Sequence, residues 1–137
     1  MKKQNISVLV DAVIFFRKAD IFKVLLIRRK NEPFQNQWAL PGGFLEENET
    51  MEEGAKRELE EETGLKIKNL QQVGAFGNPG RDPRARTISI AFVGLIEVET
   101  VVKSNDDAID AKWFSLNDLP EMAFDHNEII SEANSFL

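Results

Sequence analysis

Two β-branched apolar runs open the chain, "ISVLVDAVIFF" from Ile6 and "IFKVLLIRR" from Ile21, with the polar stretch "RKAD" between them. Their length and composition predict two strands, buried on both faces and joined by a hairpin. The following "EPFQNQWALPGGF" breaks the pattern, because Pro33, Pro41, Gly42 and Gly43 all favour loop. Thr50 with Glu53 three residues later then forms a capping box, and Gly64 supplies a stop, so a helix is predicted between them. Downstream, "LQQVGAF" predicts a strand, "GNPGRDPRAR" a turn-rich loop, "TISIAFVGLIEVET" the strongest strand of the chain and "AKWFSL" a short one. Asp125 and Glu128 predict the capped start of a last helix, with Ile129, Ile130, Ala133 and Phe136 on its apolar side. Strands mixed with two helices predict an α/β layered domain around a mixed sheet, with no internal repeat and no linker.

A length of 137 residues bounds this to one domain, expected over residues 1–137, and 42% hydrophobic with 29% charged residues is ordinary globular composition. The absence of cysteine excludes disulfides and thiolate metal sites and favours a cytoplasmic home. Lys2 and Lys3 ahead of an apolar run imitate a signal peptide, but Asp11 interrupts the run and no small-residue cleavage site follows, so a buried strand is expected there. No apolar run reaches the ~20 residues of a membrane span. The formal charge of −6 argues against nucleic acid or an anionic membrane as partner. That excess is local: residues 46–62 hold nine of the 23 acidic and two of the 17 basic side chains, and the remainder balances at 14 against 15.

On a helix, Glu58, Glu61 and Glu62 are spaced i, i+3 and i+4 and project from one side. At about 100° per residue with Glu58 at zero, Glu62 falls near 40°, and Met51, Ala55 and Leu59 fall near 20°, 60° and 100°. The apolar arc of the first turns therefore continues as carboxylate in the last turn, while Glu53 and Glu60 point outward. A pair of carboxylates at 5 to 6 Å costs roughly 3 kcal/mol at an effective dielectric near 20. Partly buried, the three must take up protons or share a divalent cation, and the spacing of hard oxygen ligands favours Mg2+ or Mn2+.

Magnesium usually completes its shell with water and substrate phosphate. Two basic clusters are candidates for a phosphate clamp: Arg28, Arg29 and Lys30 at a strand end, and Arg81, Arg84 and Arg86 in the turn-rich loop, each otherwise a solubilising surface. Trp38 is a candidate for stacking on a base, with packing anchor as the plainer role. His126 is expected to bond at a helix terminus rather than to catalyse.

Gly43, then Glu49, then "RELEEETGL" with Arg57, Glu58, Leu59, Glu61, Glu62, Gly64 and Leu65 resembles a complete Nudix box over residues 43–65, and the order of elements is similar to that family's α/β/α sandwich along the whole chain. The resemblance implies hydrolysis of a nucleoside diphosphate linked to another group, with Mg2+ (or Mn2+) as cofactor. Carried over by position, Glu58 and Glu62 would be the main metal ligands, Glu61 a further ligand or water activator, and the Gly42 carbonyl would join the shell. Glu49 and Arg57 would form an ion pair holding the loop to the helix. Asp106 and Asp107 lie near where a later catalytic base is found in the family; Asp107 is the candidate of the two, and a polar turn is the alternative.

"GNPGRDPRARTISIAF", with Pro79 fifteen residues after Gly64, and "AFDHNEII" resemble the branch that cleaves ADP-ribose to AMP and ribose 5-phosphate. Ala85 departs from the glycine common there. Oxidised nucleoside triphosphates, nucleotide sugars and dinucleotides are alternative substrates of the same chemistry. A sensor that binds ADP-ribose without cleaving it is the alternative of another class; the full set of box acids, and an end at Leu137 without room for a winged-helix segment, weigh against it. Similar members often form a homodimer that completes the substrate pocket.

Overall fold

The computed structural model describes residues 3–137; Lys2, weighed above as part of a leader-like start, lies outside the described residues. Strand β1 spans Ile6–Lys18 and β2 spans Ile21–Arg29. They pair antiparallel only beside the turn, from Phe15↔Val24 to Lys18↔Ile21, and splay beyond it. The chain then returns into the gap. Strand β3, Trp38–Ala39, pairs with β2 at Ile27 and Arg28, and β4, Gly42–Phe44, pairs with β1 at Leu9 to Asp11. The stretch expected to be loop thus carries two short strands, because the splayed edges hold backbone donors and acceptors that must be paired. Pro41, which has no N–H to give, sits between them and accepts from the Ala12 amide at 2.9 Å.

Helix α1, Met51–Thr63, starts at a complete capping box of Thr50 and Glu53 and ends at Gly64, whose left-handed backbone sends its amide to the Glu60 carbonyl. Strand β5 is Gln71–Phe76, β6 is Arg86–Ile96, β7 is Ala108–Ser115 and helix α2 is His126–Asn134. Strand β6 runs parallel to β1 from Ile6↔Arg86 to Phe16↔Ile96, whereas β5 on β6 and β7 on β2 are antiparallel. The result is a mixed sheet in the order β3-β2-β1-β6-β5, with β4 attached to β1 and β7 to β2.

The helices lie on opposite faces, as the period-two alternation of β1 records. Val10, Ala12 and Ile14 pack with Ala55 and Leu59 of α1, while Val13 and Phe15 pack with Ile129, Ile130 and Ala133 of α2. Each fully buried leucine such as Leu59 contributes about 2 kcal/mol. Asp11 falls on the α2 face at the splayed end of the sheet, among buried residues. No helix among the described residues is long and apolar enough to cross a membrane.

Three details depart from the sequence reading. Met51 belongs to the apolar arc but is exposed at the overhanging first turn, and Phe136 lies past the end of α2 and is also exposed. Asp125 occupies the N-cap position of α2 without a side-chain cap bond, because its carboxylate is taken by Arg81. Thr50→Ala is expected to lower stability by about 1 kcal/mol, read as a drop in Cm without a change in m, because the Glu53 amide loses its acceptor.

Candidate active site

The splayed end of the β1–β2 hairpin, the last turns of α1 and the start of α2 enclose a cavity of about 570 Å³. Glu58, Glu61 and Glu62 reach it from α1, Asp11 from β1, and Asp107 from the segment before β7. Glu62 is 5% exposed, and its Oε1 accepts the Gly42 amide at 2.7 Å. That contact joins helix to loop. The backbone approaches closely enough that a Cβ at position 42 would collide with Asp11 Oδ1 and the Val10 carbonyl, and one at position 43 would lie 2.8 Å from the Glu58 carboxylate.

Arg57 is the hub of the exposed side. Its Nε and Nη2 donate to Glu49 at 2.9 and 2.7 Å, Nη2 also to the Phe44 carbonyl at 3.2 Å, and Nη1 to Glu58 at 2.8 Å and Glu61 at 3.3 Å. Glu49 in turn accepts the Glu46 amide at 2.8 Å, so one guanidinium binds the turn before α1 to the helix. The Arg57 bonds hold the Glu49 carboxyl down to about 2.

Glu62 has the opposite environment. Burial pushes its pKa up to about 9 against the pull of the Gly42 amide, and Glu58, Asp11 and Asp107 push the same way. Burial also raises Glu58, opposed by Arg57. The cavity lining carries eight carboxylates, Asp11, Glu32, Glu46, Glu58, Glu61, Glu62, Asp82 and Asp107, against five cations, Arg29, Lys30, Arg57, Arg81 and Arg84. As they stand, no three carboxylate or imidazole groups among the described residues converge closely enough to chelate an ion. Glu58 and Glu61 lean on Arg57 instead, and Glu62 leans on Gly42. The donors are all hard oxygens and their charge is under-compensated, which fits a divalent cation such as Mg2+ or Mn2+.

Of the expected phosphate ligands, Arg81 and Arg84 line the cavity, but their states differ. Arg81 is committed, holding both Asp125 oxygens at 2.7 and 2.9 Å and the Thr87 hydroxyl at 2.9 Å, with its side chain 4% exposed. Arg84 grips the buried Asp82 at 2.7 and 3.0 Å yet keeps a third of its side chain exposed, with Phe44 and Phe124 ring centres 5.5 and 5.6 Å away. Arg28 and Arg86 do not line the cavity. Arg28 donates to the Asn36 carbonyl while its strand neighbour Arg29 faces inward, and Arg86 donates to the Gly77 carbonyl. Trp38 also lies outside the lining: it packs edge-on against Phe114 at 4.7 Å over the main core, an anchor for β3. Asp106, at φ 54, forms the turn that carries Asp107 to the cavity.

Sequence reasoning did not assign Asp11 or Asp82, and it expected His126 to bond at a helix terminus, whereas the imidazole, at the first residue of α2, bonds Leu40 between β3 and β4. A lone carboxylate in a strand otherwise apolar on both faces was the available signal for Asp11, since such a group is buried only with partners. It accepts the Ser89 hydroxyl. No local signal marks Asp82. The His126 imidazole is buried; its Nδ1 accepts the Leu40 amide at 2.9 Å and its Nε2 lies 3.8 Å from Asp11. Because Nδ1 accepts, the ring's proton belongs on Nε2, and burial, which lowers the pKa, acts in the same direction.

A model of the NUDIX domain matches residues 7–133, and the chain belongs to the Nudix family. It is 51% identical over 112 residues to an ADP-ribose pyrophosphatase of Methanocaldococcus jannaschii, covering 80% of this chain and 64% of that protein. It is 34% identical over 128 residues to the ADPR responsive transcriptional repressor NtrR of Acinetobacter baylyi, covering 90% of this chain and 51% of the repressor. The chain thus spans between half and two thirds of the length of these relatives. Among solved structures, the NUDIX domain of Shewanella oneidensis NrtR complexed with ADP ribose superposes with a TM-score of 0.91 at 32% identity, over 98% of this chain and 90% of that one.

Two outcomes follow from the charges. In EDTA, Glu62→Gln is expected to raise Tm, with the gain widening from pH 5 to pH 8. The sign comes from the raised pKa: between the ordinary 4.5 and about 9 the folded chain keeps a proton that the unfolded chain has released, so wild-type stability falls as pH rises. A gain that is flat across that window would contradict the charge reading. Arg81→Ala is expected to cost about 3 kcal/mol by urea unfolding, because the Asp125 carboxylate loses both guanidinium bonds that hold it.

Proposed function

We propose that the chain hydrolyses a nucleoside diphosphate linked to a second group, with ADP-ribose cleaved to AMP and ribose 5-phosphate, in a reaction dependent on Mg2+ or Mn2+. The observation that carries this reading is the buried Glu62 carboxylate, set among Glu58, Asp11 and Asp107 at the wall of a cavity whose lining has three more acids than bases. A diphosphate entering alone would meet net repulsion. Glu58, Glu61, Glu62 and the Gly42 carbonyl would hold the cation, which when bound offsets diphosphate charge and acidifies a water. The 51% identity to an ADP-ribose pyrophosphatase supports the substrate.

The chain's own groups divide the remaining work. Arg84, which has an exposed guanidinium edge, and Arg29 receive phosphate oxygens, a task to which planar guanidinium groups are suited. Asp107 accepts the proton of the attacking water, with Glu61, the most exposed of the three helix carboxylates, as the other candidate base. Water oxygen bonds to one phosphorus, the bridging P–O bond breaks, and the bridging oxygen leaves with the other phosphate. Arg57 and Glu49 hold the turn so that Glu58 stays in reach.

A second reading is favoured by the 34% identity to an ADPR responsive repressor: binding of ADP-ribose without turnover, as a sensor. The two separate in one assay, release of AMP and ribose 5-phosphate from ADP-ribose with Mg2+, beside a panel of nucleoside triphosphates, nucleotide sugars and dinucleoside polyphosphates. Preference for ADP-ribose, abolished by EDTA, is expected. Turnover of another panel member alone would discard the substrate, and binding without turnover would favour the sensor. Glu62→Gln is expected to lower kcat about 100-fold or more with the fold intact, and Arg84→Ala to raise KM about tenfold with kcat little changed.

A further inference from the structure

Leu40, Pro41 and Gly42 are each held by a different element. The Pro41 carbonyl accepts from Ala12 of β1, the Gly42 amide donates to Glu62 of α1, and the Leu40 amide donates to His126 at the first residue of α2. Only the last tie uses a side chain outside the box. His126 makes it with an imidazole nitrogen that is an acceptor only when its proton sits on Nε2, the nitrogen facing Asp11. Asp11 is itself fixed by the Ser89 hydroxyl and lies against Gly42, where a side chain would collide with it. The segment before α2 is zipped to the same region, with the Ala123 amide on the Trp38 carbonyl at 2.8 Å.

We propose that His126 is a positioning residue: by accepting the Leu40 amide proton at Nδ1, it fixes the Leu40–Gly42 backbone against Glu62 and so sets the geometry of the carboxylate cluster. The proposal rests on the hydrolase reading for its effect on turnover, but the tie itself is readable without substrate or metal. It differs from a packing role because it depends on one acceptor atom at one place in the side chain.

The test compares three substitutions. Asn places an oxygen where Nδ1 stands, Gln places its amide one bond further out, and Phe keeps the ring volume without any acceptor. Three readouts apply to the full chain: 15N NMR of the imidazole, hydrogen exchange of the Leu40 amide in metal-free protein, and kcat and KM for ADP-ribose. The wild type is expected to show a neutral Nε2–H ring and a protected Leu40 amide. His126→Gln and His126→Phe are expected to speed Leu40 exchange and to lower kcat, each about tenfold or more, with KM within about threefold, and His126→Asn to recover most of both. Leu40 protection retained in a folded His126→Phe protein, or an Nδ1–H ring in the wild type, would overturn the proposal. If Leu40 responds as expected while the wild type turns over no substrate, the tie stands and the hydrolase reading fails.

Discussion

Burial of the Glu62 carboxylate is the constraint around which the rest of the site is arranged. Helix α1 places Ala55, Leu59 and Glu62 on the arc that meets the sheet, so the acid sits among core neighbours rather than in solvent. An ionised carboxylate in such a place is costly unless it is paired; its hydrogen-bond partner is the Gly42 amide, and the attraction of Arg29 is set against repulsion from Glu58, Asp11 and Asp107. The folded chain therefore either holds a proton there or recruits positive charge. That conflict is stored at the site, and the Leu–Ile core on both faces of the sheet offsets it.

The splayed hairpin is what makes the arrangement possible. Strands β1 and β2 part after Phe15 and Val24, and the returning segment fills the gap by pairing with both. Its two central glycines then lie against Asp11 on one side and Glu58 on the other, closer than any side chain permits. The Gly42 amide is thereby presented to Glu62 at the helix end. Arg57 does complementary work on the open side, because one guanidinium neutralises Glu49 of the turn before α1 and also binds Glu58 and Glu61, two acids of one helix side.

The arginines show how similar residues acquire different functions from their partners. Arg81 and Arg84 are three residues apart in a loop, yet Arg81 is closed by Asp125 and Arg84 is left with an open edge above Asp82. Asp125 gives up helix capping to do this, and α2 begins with a backbone turn instead. The exchange ties α2 to the turn-rich loop and shapes the far wall of the cavity.

Much of the scaffold and the carboxylate-bearing helix was legible in the chain itself. Periodicity marked the hairpin, β5, β6 and both helices, and the capping box and Gly64 marked the ends of α1, because those signals depend on neighbours within four residues. The spacing of Glu58, Glu61 and Glu62 set them on one side of a helix for the same reason. What sequence could not specify were choices between partners distant along the chain: that β3 and β4 fill a splayed hairpin, that Arg29 rather than Arg28 faces the cavity, that Trp38 anchors a strand, and that Asp11 meets His126 and Ser89. Local sequence determined which groups lie on which face, since a helix or strand fixes that by its own repeat. Only the tertiary structure decided which charges are buried and which are answered, because the energy of a charge depends on everything the fold brings within a few ångströms of it.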